Sequence, residues 1–387
     1  MQLDFHYYGT YCAAILAGWS HENSLNICYS AQFVDCCSKA LLAKIRGPVS
    51  AATTQLQVEL MDQHTDLPGM QDMTRIWVSF HFLPYDLYAE VRKWAPAPYR
   101  NKYRLICGPN GQLVKDTVEL AKGDSLQAAG VAMHVLADTW AHRYFAGTPS
   151  LVINNTNYHF FELTEAEKNS TWRDVENGTW KNEETESWRR VRFRHGPSSS
   201  DDLEQGIYVA TVFRGRENSV MNLGHGRAGH LPDYSFMRYK YLPAWGNYAE
   251  VQKDNPSEYY NAFCQMIFAL KYLRGVQKEF VTDCYDKEAA APFEKRIMEI
   301  LTVRRPDACE DWKAFAESLS GHTVEDFDET RYEQEYMAAE GTAKEETFLG
   351  NFIRAAAAQK AMVTAAIARS GNRLAGVPAI RKERQAG

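Results

Sequence analysis

Asp124-Ser-Leu-Gln-Ala-Ala-Gly-Val-Ala-Met-His134-Val-Leu-Ala-Asp138-Thr-Trp-Ala-His142 is the stretch on which the reading of this chain turns. Asp124 to Gln127 has the form of a helix start with a capping box, and the helix it opens is expected to run to about Tyr144. On that helix His134, Asp138 and His142 recur every four residues. Each step of four turns about 40° beyond a full turn and rises about 6 Å, so the three side chains share one stripe. Their neighbours Val131, Ala137, Ala141 and Phe145 are small or apolar, and polar groups on an apolar stripe need partners. The two histidines are about 12 Å apart along the axis. With zinc–nitrogen bonds of about 2 Å, they do not share one ion. Either one of them is not a ligand, or Asp138 bridges two ions with a histidine on each side, since a carboxylate bridges metals where an imidazole normally does not. The plainer alternative is a buried helix whose His and Asp are satisfied by ordinary hydrogen bonds.

A second cluster is Gly224-His225-Gly-Arg-Ala-Gly-His230-Leu-Pro-Asp233, which gathers the possible ligands His225, His230 and Asp233 among glycines that let backbone approach a site closely. A tight turn with incidental histidines is the alternative. Single candidates are His6 near the N-terminus, Asp35 at the end of the apolar run Ala31-Gln-Phe-Val-Asp35, and His81 within Phe80-His-Phe-Leu-Pro84, where a neutral imidazole needs a ligand or a hydrogen-bond partner. His64, in Asp62-Gln-His64-Thr-Asp66, is the leading histidine left out.

Outward from the motif, the pattern is mainly helical. Two helices are expected before about Lys44, the first from Thr10 to Trp19 and the second capped by Asn23 or Ser24. Gln55 to Leu60 alternates and suggests a short strand, Arg75 to Leu83 is apolar and β-branched, and Gly108-Pro-Asn-Gly111 suggests a hairpin between Tyr103–Ile106 and Gln112–Lys115. Residues 165–202 read as an inserted loop or lid, with Trp172, Trp180 and Trp188 pinning it to the body. From Ser257 to about Ser370 the spacing is helical again, ending in an alanine-rich helix near Glu345–Arg369. The division expected is one helical domain over 1–370 and a flexible basic tail over 371–387.

The chain has 387 residues and a net charge of -6, so no global basic field points to nucleic acid or an anionic membrane. No stretch approaches the roughly 20 apolar residues of a membrane span, and no signal peptide is readable. The expected location is the cytoplasm, with secretion by a route that needs no signal peptide left open. The eight cysteines lack any Cys-x-x-Cys pair and read as reduced core thiols.

The motifs Met1-Gln-Leu-Asp-Phe-His-Tyr-Tyr, Ala31–Asp35, Phe80–Pro84, His134–His142 and Gly224–Asp233 together resemble an uncharacterised microbial family with no assigned function, over roughly residues 1 to 240. More distantly, the ligand order resembles the zinc-dependent phospholipase C and single-strand nuclease superfamily, all-helical phosphodiesterases with three zinc ions. That resemblance makes His6 the early His, Asp35 the early Asp, His81 the next His, His134 and Asp138 the helical pair, and Asp138 the bridging carboxylate. His142, His225 or His230 would furnish the third ion, with Asp233 as the acidic ligand. There, a processed N-terminal tryptophan binds metal. Here no processing site is visible, so Asp4 substitutes or that ion is absent. The final His-x-x-x-Glu is also missing.

The expectation is therefore a mainly α multi-helix bundle of that type, with a small β-hairpin and an inserted loop. It would be a hydrolase of phosphate esters using two or three divalent ions, zinc by donor type. A bridging water would attack phosphorus, oriented by Asp35 or Asp138, with Arg227 stabilising the oxyanion. The substrate class is a small-molecule, lipid or nucleotide phosphoester, with no stable nucleic-acid complex. Two alternatives are a non-heme iron or di-iron oxidoreductase, against which the lack of Glu-x-x-His pairs counts, and a non-catalytic protein with a structural metal.

Overall fold

The computed structural model describes residues 1–62, 66–91, 94–165, 179–181, 186–195, 201–209, 217–247 and 249–376. The protein is mainly α-helical. The N-terminus enters as a buried π-helical turn, Asp4–Gly9, and runs on into α1 (Thr10–Leu16). Ser20 caps α2 (His21–Phe33) by accepting the Asn23 amide, three or four residues earlier than the sequence suggests. Ser38 caps α3 (Lys39–Lys44) in the same way.

Gln57–Asp62 forms α4, not the expected strand. Glu59 decides this: its carboxylate reaches back to the Leu56 amide, half of a capping box, and also takes the Ala40 amide. Asp66 caps α5 (Leu67–Phe80), with Pro68 in its first turn, so the β-branched run before Pro84 is the second half of a helix. The hairpin expected around Gly108–Gly111 is absent. That turn joins α6 (Ala97–Tyr103) to α7 (Gln112–Ala121), whose Leu113, Val114, Thr117, Val118 and Ala121 repeat at helical spacing. Just before the turn, Ile106 and Cys107 meet distant chain instead, through the Tyr85 amide to the Ile106 carbonyl and isolated bridges Pro84–Cys107 and Ile106–Ala146.

Helix α8 (Leu126–Ala141), capped by Ser125, buries every residue from Gln127 to Ala141. Apart from Gln127, Thr139 and the His–Asp stripe it is apolar on all sides, the signature of a central helix. Helices α2, α5, α7, α10 (Asn255–Leu273) and α16 (Phe348–Arg369) pack around it. Between lie α9 (Leu151–Asn154), α11 (Lys287–Ala290), α12 (Glu294–Thr302), α13 (Cys309–Ser320), α14 (Glu333–Ala338) and α15 (Ala343–Glu346). No helix of the described residues is long and apolar enough to cross a membrane. All eight cysteines are free.

The β structure lies later than expected. Strands β1 (Phe160–Glu165), β2 (Thr179–Lys181), β3 (Glu186–Arg190), β6 (Arg238–Tyr241) and β7 (Val251–Asp254) form one antiparallel sheet in the order β2-β3-β1-β6-β7. A parallel pair joins β4 (Phe193–His195) to β5 (Ile207–Val209). The expected insertion thus contributes strands to the sheet. Trp180 pairs with Trp188 in the strand register, Trp188 is buried, and Trp172 lies outside the described residues. The sheet's core, with Phe160, Tyr239 and Tyr241, meets Phe82 and Phe145 beside the end of α8. Residues 371–375, expected in a flexible tail, are held on the core: Asn372 and Ala375 are buried and the Ala375 carbonyl accepts Arg75 Nε–H. The stretch 377–387 lies outside the described residues.

Candidate metal centre

Gly130 sets the depth at which α2 crosses α8. A Cβ there would meet the Ile27 carbonyl oxygen at 2.3 Å and Ser30 Cβ at 2.5 Å. This contact brings the last turn of α2 against His134. A helix leaves its last carbonyls without amide partners, and here the Asp35 amide bonds Gln32 rather than Ala31. The Ala31 carbonyl instead accepts His134 Nδ1–H at 2.8 Å.

The same device recurs. His81, at the end of α5, donates Nε2–H to the Thr53 carbonyl at 3.0 Å. His142, the C-cap of α8, donates Nδ1–H to the His81 carbonyl at 2.6 Å. His225 donates Nδ1–H to the Gly229 carbonyl at 2.8 Å. A carbonyl only accepts, so in its neutral form each of these four imidazoles carries its lone pair on the other nitrogen. Those nitrogens converge. His134 Nε2 and His81 Nδ1 stand 3.3 Å apart, each 3.2 Å from Asp138 Oδ2 and just under 4 Å from Asp35 Oδ1. His6 Nε2 lies 3.1 Å from Asp138 Oδ1, and its ring stacks on His134. On the other side, His142 Nε2 is 3.0 Å from Asp233 Oδ1 and His225 Nε2 is 3.5 Å from Asp233 Oδ2.

These contacts define three overlapping or adjoining groups able to hold a cation: His6–His134–Asp138, Asp35–His81–His134 and His142–His225–Asp233. Two facing lone pairs next to a carboxylate repel unless a proton or a metal ion lies between them. Among the described residues, no lysine or arginine pairs with Asp35, Asp138 or Asp233. The cation present is the Met1 amino group, 2.8 Å from Asp138 Oδ1 and 3.3 Å from Asp233 Oδ1. Its pKa is raised to about 11: burial opposes the charge, but Asp138, Asp233 and Asp35 outweigh it. That ammonium marks the spot where the site attracts positive charge.

The remaining titrations follow the same field. Burial, with the neighbouring His134, lowers His6 to about 4, and burial lowers His225 to about 4. His81 moves up despite burial because it faces Asp138 and Asp35. Burial pushes Asp138 and Asp233 upward, yet the histidines and the amine hold both well below the usual carboxylate range. Neutral His6 and His225 beside ionised Asp138 and Asp233 are in the state a metal requires.

The structure therefore brings together eight of the expected ligands: His6, Asp35, His81, His134, Asp138, His142, His225 and Asp233. It leaves His230 out. That side chain is half-exposed and bonds Asp201 at 2.9 Å. Asp4 does not serve either: one oxygen takes the Phe5 amide and the other the Ala308 amide. Arg227 is buried, but its Nε donates to Asn222 at 2.7 Å within its own loop, and it belongs to none of the three groups. His64 lies outside the described residues.

The model of a family of unknown function (DUF6765) matches residues 1–367. The chain belongs to this family. The DUF6765 match runs well past residue 240, where the motif resemblance stops, and takes in the C-terminal helices that enclose α8. No curated protein and no solved structure matches the chain.

Two features of this DUF6765 site escape sequence reading. Phe82 stacks on His142, with centroids 4.7 Å apart, and Gly224, at φ +52°, leaves room for its ring. Lys253, fully buried, donates to the Trp140 carbonyl at 2.8 Å and to that of Ala141, capping α8 next to His142. A lysine on a short strand more than a hundred residues away carries no sequence signal of that role.

Proposed function

We propose that this protein is a metal-dependent hydrolase of phosphate esters or phosphodiesters. Its eight gathered ligands would hold two or three divalent ions, zinc by donor type. The observation that carries the reading is the convergence on three carboxylates, which no lysine or arginine of the described residues balances, of imidazole nitrogens from four rings whose other nitrogen is held by a backbone carbonyl. Ions bound there would supply a water acidic enough to attack near neutral pH and a Lewis-acid contact for phosphoryl oxygens.

The chain's own residues do the positioning. Asp138 presents one oxygen to His6 and the other to His81 and His134, which ties the groups together. The Ala31, Thr53, His81 and Gly229 carbonyls hold four imidazoles in one tautomer and orientation, so the donors are arranged before any ion arrives. Asp35, with a third of its side chain exposed, is placed to orient water entering from solvent and to accept its proton. Phe82 shields one face of His142. The order of these ligands along the chain also supports kinship with the zinc-dependent phospholipase C and nuclease superfamily, and that kinship is part of the proposal.

Metal analysis of the purified protein should find two or three zinc ions per chain, with turnover of bis(p-nitrophenyl) phosphate. Asp138→Asn should lose at least one ion and reduce turnover by more than about 100-fold, beyond what outer-shell changes cause, with the helical circular dichroism retained. A single tightly held ion without turnover would overturn the reading. A ferrous centre that reacts with oxygen would replace it with the oxidoreductase one.

A further inference from the structure

Gln32, in the last turn of α2, ends beside the ligand set without belonging to it. Its side chain is buried, and its Nε2–H donates to Asp35 Oδ2 at 3.5 Å, a long bond. Asp35 Oδ1 is the oxygen that faces His81 and His134, so Gln32 holds the oxygen that is left. The opposite turn of the amide would set its oxygen against the carboxylate, acceptor against acceptor. With the amide this way round, its own carbonyl oxygen, Oε1, is buried and accepts nothing.

A buried acceptor without a donor is an exception in folded proteins, and a costly one. An apolar side chain of the same length would fill the space without that cost. The place of the exception matters. Asp35 has 33 % of its side chain exposed, whereas no other ligand of the eight exceeds 18 %. The unfilled acceptor therefore lies next to the ligand that solvent reaches most easily. What an amide oxygen beside a carboxylate takes is an O–H or N–H donor; a phosphoryl oxygen, itself an acceptor, does not fit. The donor common to every phosphoester hydrolysis is the attacking water. It has two hydrogens, and Asp35 and Gln32 offer two acceptors side by side. Held by both, the water keeps its lone pairs free.

We propose that Gln32 holds the attacking water of this centre: its Nε2–H steadies Asp35, and its Oε1 accepts the hydrogen that stays with the oxygen. The inference rests on the hydrolase reading above. In the step, one O–H bond of the water breaks and its proton passes to Asp35. The oxygen bonds phosphorus, and the ester oxygen leaves with the electron pair of its P–O bond. Gln32 exchanges neither proton nor electrons; it fixes the orientation of the O–H that remains.

The test is Gln32→Met in the whole chain, which keeps the length of the side chain and removes both polar ends. Bis(p-nitrophenyl) phosphate has no O–H or N–H of its own, so an effect of Oε1 on its turnover passes through water. At saturating zinc, kcat is expected to fall and KM to stay unchanged. The zinc Kd, read by competition with a chelator, should weaken about tenfold, because Asp35 loses its outer partner. The Tm of the metal-free protein should hold or rise, since an unsatisfied buried acceptor is gone; a merely structural glutamine would lower it. Gln32→Asn, which draws the amide back by one methylene, serves where Gln32→Met disturbs the fold, and should lose turnover likewise. A kcat equal to the parent's, a loss confined to KM, zinc held as tightly as before, or a Tm that falls with kcat would overturn this proposal alone. A parent that binds zinc and turns over no phosphoester would overturn the hydrolase reading, and this proposal with it.

Discussion

His225 and His230 sit five residues apart in one glycine-rich loop, yet they meet opposite fates. His225 donates to the Gly229 carbonyl and turns its free nitrogen to Asp233, whereas His230 points out to Asp201. The turn at Gly229, with φ +56°, separates them. His225→Ala is therefore expected to remove one ion per chain and most of the turnover. His230→Ala should leave both unchanged and cost no more than about 1 kcal/mol, the range of an exposed ion pair. Metal analysis and urea unfolding of the two variants check the contrast, and equal metal loss in both would contradict the site as drawn. The histidine types were legible from sequence; which of two neighbours turns inward was not, because backbone geometry decides it.

At the scale of elements, the centre depends on how closely α2 and α8 cross. Gly130→Ala would add about 1 kcal/mol of helix propensity, but its Cβ would stand 2.3 Å from the Ile27 carbonyl oxygen, a backbone atom that yields only if α2 moves. Overpacking of this kind costs about 1–3 kcal/mol, so net destabilisation is expected. Displacing α2 also withdraws the Ala31 carbonyl from His134, and zinc affinity should fall about tenfold or more, as for other outer-shell losses. Urea midpoints and competition with a zinc chelator measure the two effects. A variant as stable and as tight as the parent would show that the crossing does not position the ligand. The α8 helix and its cap region were readable beforehand because its pattern is long and continuous. The segments at 55–60 and 103–115 were misread because short alternation and a turn signal do not distinguish strand from helix, and the Glu59 contacts that settle the first come partly from α3.

For the whole molecule, the centre joins the N-terminal turn, α2, α5, α8 and the 224–233 loop. Ions bound to such a site stabilise only the folded chain, by about 4 kcal/mol when free metal is a thousandfold above Kd. Chelation should accordingly lower the Tm of the parent and of His230→Ala by several degrees, and that of Asp138→Asn by less. Calorimetry with and without chelator checks this; an unchanged Tm would mean that no ion contributes to the fold. The sequence by itself determined a mainly helical chain, a central helix with a His–Asp–His stripe too long for one ion, and the ligand types in order, since these depend on local spacing and periodicity. Only the tertiary structure decided which donors meet, that distant backbone carbonyls set the tautomers, that Asp4 and His230 turn away, and that the sheet is built from 160–254. Each of these rests on contacts between residues far apart in the chain, which local pattern does not encode.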